Sequence, residues 1–226
     1  MYSCPFFILI LEKIVSLSPD LVIADADAHL KFKDKFDVKE KHMIVFLGRI
    51  NWIKGLDYLV ESFHELAQYR KDVLLVIIGP DDGYRATLED LIRKLDLEEK
   101  VLFTGFVSRE DKLSALVDAD VVVQTSRYEE GAWAPFEAVL CETPIIVSAN
   151  TGAGEDVKRI DAGYLVEFGN KKDLCDKVQY VLNNPDIAIE KAKRAKNFIE
   201  NNMSMRKRIH EYEELYETCI KEKGGR

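Results

Sequence analysis

The chain has 226 residues, of which 47% are hydrophobic and 32% are charged, and its formal net charge is −8. These proportions are typical of a water-soluble globular protein, and the length suits one large domain or one and a half small ones. The negative charge argues against a general nucleic-acid-binding protein, because such proteins neutralise phosphates with an excess of lysine and arginine.

The four cysteines lie far apart, at positions 4, 141, 175 and 219, with no CxxC motif and no neighbouring histidine pair. Zinc sites and disulfide frameworks need cysteines at closer or paired spacings, so the sequence argues against both. Isolated cysteines are typical of a reducing compartment, and we therefore expect a cytoplasmic protein.

Residues 1–40 differ from the rest of the chain. Their uninterrupted apolar run, Phe6 to Leu11, is shorter than the roughly 20 residues of a membrane span, and it lacks the basic start and cleavage site of a signal peptide. One strand is predicted at 21–26, and no strand–helix–strand unit is completed. We expect a remnant or a docking segment, such as the end of a preceding acceptor domain.

From residue 43 onward, short aliphatic runs alternate with longer amphipathic segments. The aliphatic runs, which predict strands, are 43–48, 73–79, 100–105, 120–126 and 144–149. The amphipathic segments, which predict helices, are 56–69, 87–95, 109–119 and 136–142. Runs of four or five apolar residues suit strands buried on both faces, and this alternation predicts a doubly wound parallel α/β sheet.

Beyond about residue 168 the strands cease, and three helices are predicted at 171–184, 185–202 and 203–220, with Pro185 opening the second. We therefore expect one α/β domain with C-terminal helices over residues 41–226. In an open α/β sheet, ligands bind at the carboxyl ends of the strands. The residues that directly follow the strands are therefore the candidates for function.

The first such stretch is "GRINWIKG", with Gly48 and Arg49 after the strand and Lys54 and Gly55 at the start of the next helix. A helix N-terminus offers free backbone N–H groups and a partial positive charge. Two cations at that point suit a dianion such as a diphosphate. The alternative is that both are ordinary surface cations and Gly55 is only a turn residue.

A second stretch, "YEEGAWAPFEAVL" at 128–140, follows the strand at 120–126. Pro135 suits the first turn of a helix, which puts Glu137 in that turn and Glu129 in the loop before it. Two carboxylates so placed can accept hydrogen bonds from different parts of a polyhydroxylated ligand. The alternative is that Glu137 only complements the helix dipole and Glu129 is solvated.

Three further kinds of motif carry a weaker signal. "GPDDG" at 79–83 fits neither dinucleotide nor Walker motifs and predicts a turn that lines the cleft. "TGAGED" at 151–156 offers small residues at a helix start, which suits an anion. Asp25–Asp27 and Asp118–Asp120 each spell DxD, but the second pair precedes a strand, so we interpret both as solvated or capping aspartates.

Taken together, "GRINWIKG" and "YEEGAWAPFEAVLCETPIIVS" resemble the nucleotide-sugar-binding half of GT-B retaining glycosyltransferases of family 4, also called glycosyl transferases group 1. The family hallmark is Glu-x7-Glu, and Glu129 and Glu137 keep that spacing. The resemblance covers about residues 43–217. It implies one Rossmann-like half of a GT-B fold, with a nucleotide-diphosphate sugar as the substrate.

The resemblance also implies roles for the matching positions. Arg49 and Lys54 would hold the diphosphate and stabilise the leaving nucleotide, and Glu129 would meet hydroxyls of the transferred hexose. These three are the catalytic candidates. The residues implied in binding the nucleotide sugar are Gly48, Gly55, Glu130, Gly131, Ala132, Trp133, Glu137, Gly105, Phe106 and Val107. Glu137 would accept from the ribose, 104–108 would border the base, and transfer would retain the anomeric configuration without a bound metal or other cofactor.

Two departures from the family pattern stand out. Glu130 occupies a place that is commonly glycine, and "AWAP" replaces a run of glycine and aliphatic residues. The larger departure is that no segment matches the acceptor domain of the family, which carries a catalytic histidine. Residues 1–40 are too short to form that domain. None of the four histidines, at 29, 42, 64 and 210, lies in a segment that matches it.

We therefore expect a fragment of a two-domain enzyme or one subunit of a split enzyme, with an acceptor-domain partner or self-association through 1–40 and the last helix. A second hypothesis is a non-catalytic nucleotide-binding or assembly module that keeps the fold. Phosphorylase- or epimerase-type chemistry has no support beyond the fold. The basic stretch 191–208 is interpreted as a solvated helix face, or as a peripheral contact with an anionic inner membrane face.

Overall fold

The computed structural model of the chain describes residues 31–38, 41–202, 216–218 and 220. Six strands pair in parallel in one sheet, in the order β3-β2-β1-β4-β5-β6. The strands are β1 His42–Leu47, β2 Val73–Ile78, β3 Val101–Gly105, β4 Val121–Gln124, β5 Ile145–Ser148 and β6 Tyr164–Val166. The predicted doubly wound parallel sheet is confirmed.

Helices connect the strands and cover both faces of the sheet. They are α1 Lys31–Lys35, α2 Leu56–Tyr69, α3 Arg85–Lys94, α4 Arg109–Asp118, α5 Ala134–Leu140, α6 Gly152–Ile160, α7 Lys171–Asn183 and α8 Pro185–Asn202. Short 3-10 turns lie at Trp52–Lys54 and Glu98–Lys100. Among the described helices, none is long and apolar enough to cross a membrane.

The core explains why the strands are so apolar. All six residues of β2 are buried, and successive side chains enter two clusters on opposite faces of the sheet, as Val76 and Ile77 do. A strand buried on both faces needs apolar residues at every position rather than at alternate ones. The continuous aliphatic runs of the sequence therefore correspond to a sheet that lies between two layers of helices.

The strand order shows where at the carboxyl edge of the sheet a ligand would bind. Strand β1 lies between β2 and β4, so the chain builds the sheet first to one side of β1 and then to the other. At this reversal the loops after β1 and β4 leave a crevice between helices that lie on opposite faces. These are the loops that carry "GRINWIKG" and "YEEGAWAP".

At the opposite, amino edge of the sheet lie Asp118 and Asp120. Asp118 Oδ2 accepts from the backbone N–H groups of Phe32 and Lys33, each at 3.0 Å, and so caps α1. Asp120 Oδ2 accepts from the Met43 N–H at 2.7 Å. Asp118 thus lies at the amino edge, as predicted, and of the two predicted alternatives, solvated or capping, it is the capping role that applies, because Asp118 is 5% exposed.

Several sequence predictions lie outside the described residues. These are the strand at 21–26, Asp25–Asp27, and most of the helix at 203–220, in which 216–218 and 220 are helical. Of the segment 1–40, residues 31–38 are described, and Phe32 is fully buried in one of the two core clusters. The docking role expected of 1–40 stays a prediction.

Candidate functional site

The loop after β1 is shaped by a cap and a glycine. The Asn51 side chain accepts from the Ile53 N–H and caps the 3-10 turn Trp52–Lys54, and Gly55 then turns into α2 with φ of 63°. A Cβ on Gly55 would lie 2.1 Å from the Thr125 carbonyl oxygen and 2.7 Å from the Phe168 ring. Only glycine fits both the dihedral and the space, so the start of α2 packs directly on the backbone that follows β4.

This packing brings Lys54 to Glu129. The Lys54 ammonium donates to Oε2 of Glu129, and the Ser126 hydroxyl donates to the same oxygen at 3.3 Å. The Lys54 and Glu129 side chains are 18% and 14% exposed. Lys54 is therefore not an ordinary surface cation, and Glu129 is not solvated.

Arg127 fastens the two loops together. Its backbone N–H donates to the Ile53 carbonyl at 2.8 Å, and its guanidinium donates to the Trp52 carbonyl at 2.6 Å and to Asp57. The guanidinium also lies 4.6 Å from the centre of the Trp52 ring and 5.0 Å from that of Phe168. Burial alone would raise the pKa of the Asp57 carboxyl, but hydrogen bonds, chiefly from Arg127, hold that pKa below its ordinary value. No motif in the sequence marks Arg127 for this role.

Arg49 points to a different neighbour. Its guanidinium donates to Asp82 Oδ2 at 2.6 Å, and Asn51 donates to the same oxygen at 3.0 Å. The Arg49 side chain is 67% exposed, so it lies at the rim, whereas Lys54 lies within the crevice. Asp82 belongs to "GPDDG", in which a Cβ on Gly79 would meet the Gly48 carbonyl at 2.0 Å. The loops after β1 and β2 therefore form one wall.

Glu137 lies where the sequence predicted it, in the first turn of α5. Pro135 occupies the first turn as well, where its missing N–H costs no hydrogen bond. One carboxylate oxygen of Glu137 accepts from Lys112 of α4 at 2.8 Å, and the two side chains are 17% and 26% exposed. No motif in the sequence marks Lys112 as a partner of Glu137, because only the packing of α4 beside α5 brings the two together.

Most of the remaining candidates lie at the rim of the same edge, but Ala132 is 7% exposed and belongs to one of the two core clusters. Glu130 is exposed, and the stretch 131–133 joins Glu129 to the start of α5. Gly105 ends β3 with φ of 69°, and the Phe106 side chain that follows is 84% exposed. Val107 packs against the core below it. The glycine turn therefore holds an aromatic side chain out at the edge of the sheet.

The "TGAGED" stretch opens α6, as predicted. The Thr151 side chain accepts from the Gly154 N–H, and a Cβ on Gly154 would lie 2.3 Å from the Ser148 carbonyl oxygen. The Gly152 N–H donates to the Glu129 carbonyl at 2.8 Å, so this helix start borders the loop of the two carboxylates. Within the described part of the chain, no three His, Cys, Asp or Glu side chains are grouped to share a metal ion.

The sequence model of the glycosyl transferases group 1 family matches residues 28–205. The chain belongs to this family. Among relatives, a glycosyltransferase of Methanocaldococcus jannaschii is 32% identical over 164 residues, which are 70% of this chain and 42% of that protein. The alpha-D-kanosaminyltransferase of Streptomyces kanamyceticus is 28% identical over 76% of this chain and 45% of its own length. This group 1 chain thus spans about half the length of the curated relatives it matches.

Several solved structures share the fold of this chain. The crystal structure of Anabaena HepE in complex with UDP-glucose superposes with a TM-score of 0.78 at 21% identity, over 88% of this chain and 55% of that one. The C-terminal domain of a group 1 glycosyl transferase from Francisella tularensis gives a TM-score of 0.70 at 20% identity, over 81% of this chain and 97% of that domain. At these identities the likeness establishes the fold alone, and the fold is Rossmann-like α/β.

Proposed function

We propose that this chain is the nucleotide-sugar-binding half of a glycosyltransferase that transfers a hexose with retention of configuration. The observation that carries the proposal is the pairing of Lys54 with Glu129 at the strand-order reversal. That crevice is where open α/β sheets bind ligands, and it holds a cation and a carboxylate largely out of water. Relatives named as sugar transferases, and the UDP-glucose complex of HepE, support the choice of substrate class.

In this proposal Lys54 and Arg49 hold the diphosphate. Lys54 lies one residue before the glycine that opens α2, so its charge adds to the partial positive charge of the helix N-terminus. Negative charge grows on the diphosphate as the bond to the sugar breaks. Fixed cations beside it stabilise that charge, as the fixed donors of an oxyanion hole do, where removal of one donor costs about 2.7–4 kcal/mol. Arg49 would leave Asp82 to reach the phosphate from the rim.

The two glutamates divide the rest of the ligand between them. Glu137, at the start of α5, accepts from the ribose hydroxyls, and Glu129 accepts from hydroxyls of the hexose. Each carboxylate already shares one oxygen with a lysine, Lys112 or Lys54. That pairing holds each carboxylate in place while its second oxygen faces the ligand. Backbone N–H groups of 131–133 approach the phosphate or the sugar, and Gly105, Phe106 and Val107 border the base.

The proposal includes no metal ion or bound cofactor, since two cations and two helix starts supply the positive charge. An acceptor domain, from a partner or from another part of the protein, closes over the crevice and brings the acceptor. We propose a cytoplasmic protein. In the described part of the basic stretch 191–208, Lys191 and Lys196 are 17% and 18% exposed and pair with Asp161 and Glu142 of the same chain, which disfavours both a solvated face and a membrane contact for these two lysines.

Calorimetric titration with UDP, GDP and ADP tests the proposal. We expect one of the three to bind at micromolar to millimolar concentration, and Arg49→Ala to weaken that binding about tenfold through loss of a charge-assisted hydrogen bond. Arg93→Ala is the matched control, because Arg93 is also exposed and also pairs with one aspartate, Asp90 of its own helix. Absence of binding by all three nucleotides at millimolar concentration would refute the proposed function.

A further inference from the structure

A short hydrogen-bonded chain leads from the end of β4 to Glu129. Gln124 Nε2 donates to the Ser126 hydroxyl oxygen at 3.0 Å, and that hydroxyl donates to Glu129 Oε2 at 3.3 Å. Gln124 is 3% exposed and Ser126 is 1% exposed. We call this chain of hydrogen bonds, from Gln124 through Ser126 to Glu129, the relay. Its first two residues are buried in the protein and do not line the crevice.

The relay has one direction. A serine hydroxyl carries one proton, and the Glu129 carboxylate, paired with Lys54, can only accept. Ser126 must therefore donate to Glu129, and Gln124 must present its amide N–H to Ser126. With the amide in the opposite orientation, its oxygen would accept the hydrogen bond of the Ser126 hydroxyl, and Glu129 would lose that bond.

This direction leaves Gln124 with an unused acceptor. Gln124 Oε1 is buried and has no hydrogen-bond partner among the described residues. Buried polar atoms are nearly always satisfied, and a lone acceptor destabilises the fold. Rotating the amide by 180° would let this oxygen accept a hydrogen bond from the Ser126 hydroxyl. The arrangement that is present instead directs both donors of the relay toward the carboxylate.

We propose that Gln124 and Ser126 are positioning residues that fix the Glu129 carboxylate for the sugar of a bound nucleotide sugar. This inference rests on the proposed function. Lys54 and Ser126 both donate to Oε2, and no described residue donates to Oε1 of Glu129, which is left for a hydroxyl of the ligand. When Lys54 also donates to a diphosphate, Ser126 is the second contact that holds the carboxylate in place.

Two substitutions break the relay without touching the ligand. Ser126→Ala removes the hydroxyl that joins Gln124 to Glu129. Gln124→Glu replaces the amide N–H by a second acceptor, so that two carboxylates compete for the single proton of Ser126. Both changes leave Arg49 and Glu137 as they are, so the contacts proposed for the nucleotide remain.

The test compares each nucleoside diphosphate with its sugar ester by calorimetry. The probes are UDP, GDP and ADP with UDP-glucose, GDP-mannose and ADP-glucose. We expect Ser126→Ala and Gln124→Glu to weaken binding of the sugar ester about tenfold, the effect of losing one hydrogen bond to a charged group, and to change binding of the plain diphosphate less than about twofold. A merely structural role would weaken both ligands alike.

Ser148→Ala is the matched control. Ser148 ends the neighbouring strand β5, is 1% exposed, and its hydroxyl has no partner among the described residues. We expect it to bind both ligands as the wild type does. Equal affinities of Ser126→Ala and wild type for the sugar ester, or equal losses for both ligands, would overturn the inference while the proposed function stands. Failure of the wild type to bind any of the diphosphates would instead overturn the proposed function, and this inference with it.

Discussion

Lys54 and Glu129 are 75 positions apart in the sequence, yet the ammonium of one donates to the carboxylate of the other. They meet because β1 and β4 are neighbours in the sheet, and the loops after them leave its carboxyl edge at the same place. Their side chains are largely removed from water, so salt screens their attraction less than that of a surface pair. The pair therefore joins the two loops at the candidate site, and removal of either partner would leave the other charge largely desolvated without its counter-ion.

The first prediction concerns this pair. Lys54→Met should lower the free energy of unfolding by about 1–3 kcal/mol, because it leaves the Glu129 carboxylate desolvated without its cation. Urea denaturation measures the change. Lys172→Met is the control: Lys172 also pairs with one carboxylate, Asp176, but is 81% exposed, and its loss should leave the free energy of unfolding close to that of the wild type. Equal losses for the two variants would contradict the description of Lys54 as a buried partner.

A second prediction concerns the glycine that opens α2. Gly55→Ala should lower the free energy of unfolding by at least about 3 kcal/mol, because the new Cβ would meet the Thr125 carbonyl and Phe168 in addition to an unfavourable φ. Gly83→Ala separates the two causes. Gly83 has φ of 84° but nothing within 4 Å of a Cβ, so that variant should lose only about 1 kcal/mol. Similar losses at both positions would show that the backbone dihedral alone accounts for the effect.

The third prediction concerns the guanidinium that joins the two loops. Arg127→Lys should lower stability by about 1–2 kcal/mol, since an ammonium cannot serve Asp57 and the Trp52 carbonyl in the same planar geometry or stack on two rings. It should also expose Trp52. Acrylamide quenching of fluorescence in a Trp133→Phe background reports on Trp52 alone, because the chain has 2 tryptophans. Arg93→Lys serves as the control. Unchanged quenching in Arg127→Lys would argue against the contact between the Arg127 guanidinium and the Trp52 ring.

A fourth prediction is a pH dependence of stability. Burial raises the pKa of the Asp156 carboxyl from 3.8 to about 6, although Arg159 opposes that shift. The folded state therefore holds the proton more tightly than the unfolded state, and the stability that this provides is present below pH 4 and lost as the pH rises through about 6. Asp156→Asn removes this loss. Its advantage over wild type should grow by about 2 kcal/mol between pH 4 and pH 7.

Urea denaturation at the two pH values measures that difference. Glu155→Gln is the control, because it makes the same chemical change at the next residue of α6, whose side chain is exposed. It should change the free energy of unfolding at pH 7 by less than about 0.5 kcal/mol. An Asp156→Asn advantage that is the same at pH 4 and pH 7 would show that the carboxyl titrates normally.

Much of the fold was predictable because the apolar pattern records burial directly. Helix α2 was predicted and found at 56–69, and its apolar positions Leu56, Leu59, Val60, Phe63 and Leu66 are all buried. Helix α8 was also found where it was predicted, from Pro185 to Asn202, but it buries only Ala188, Ala192, Ala195 and Ile199, and its Ile187 and Phe198 are exposed. Strand β6 was not among the predicted strands. It has three residues, two of them half-buried, so it lacks the long apolar run that marked the others.

The candidate site was predictable only in part. The sequence predicted that the functional residues follow the strands, but only the observed strand order shows that the loops after β1 and β4 meet. The x7 spacing selected Glu129 rather than its neighbour, Glu130, which is exposed. Lys112 and Arg127 escaped notice because nothing local distinguishes them from the other lysines and arginines. Their roles come from tertiary packing, which places a helix or a ring beside them. The direction of the Gln124 relay likewise depends on burial that the sequence does not display.

The crystal structure of this chain with the nucleoside diphosphate that it binds would test the central claim most directly. The account predicts the diphosphate within about 3 Å of the Lys54 ammonium, the distance of a charge-assisted hydrogen bond, and the ribose against Glu137. A diphosphate bound elsewhere, with the Lys54–Glu129 pair intact, would contradict it.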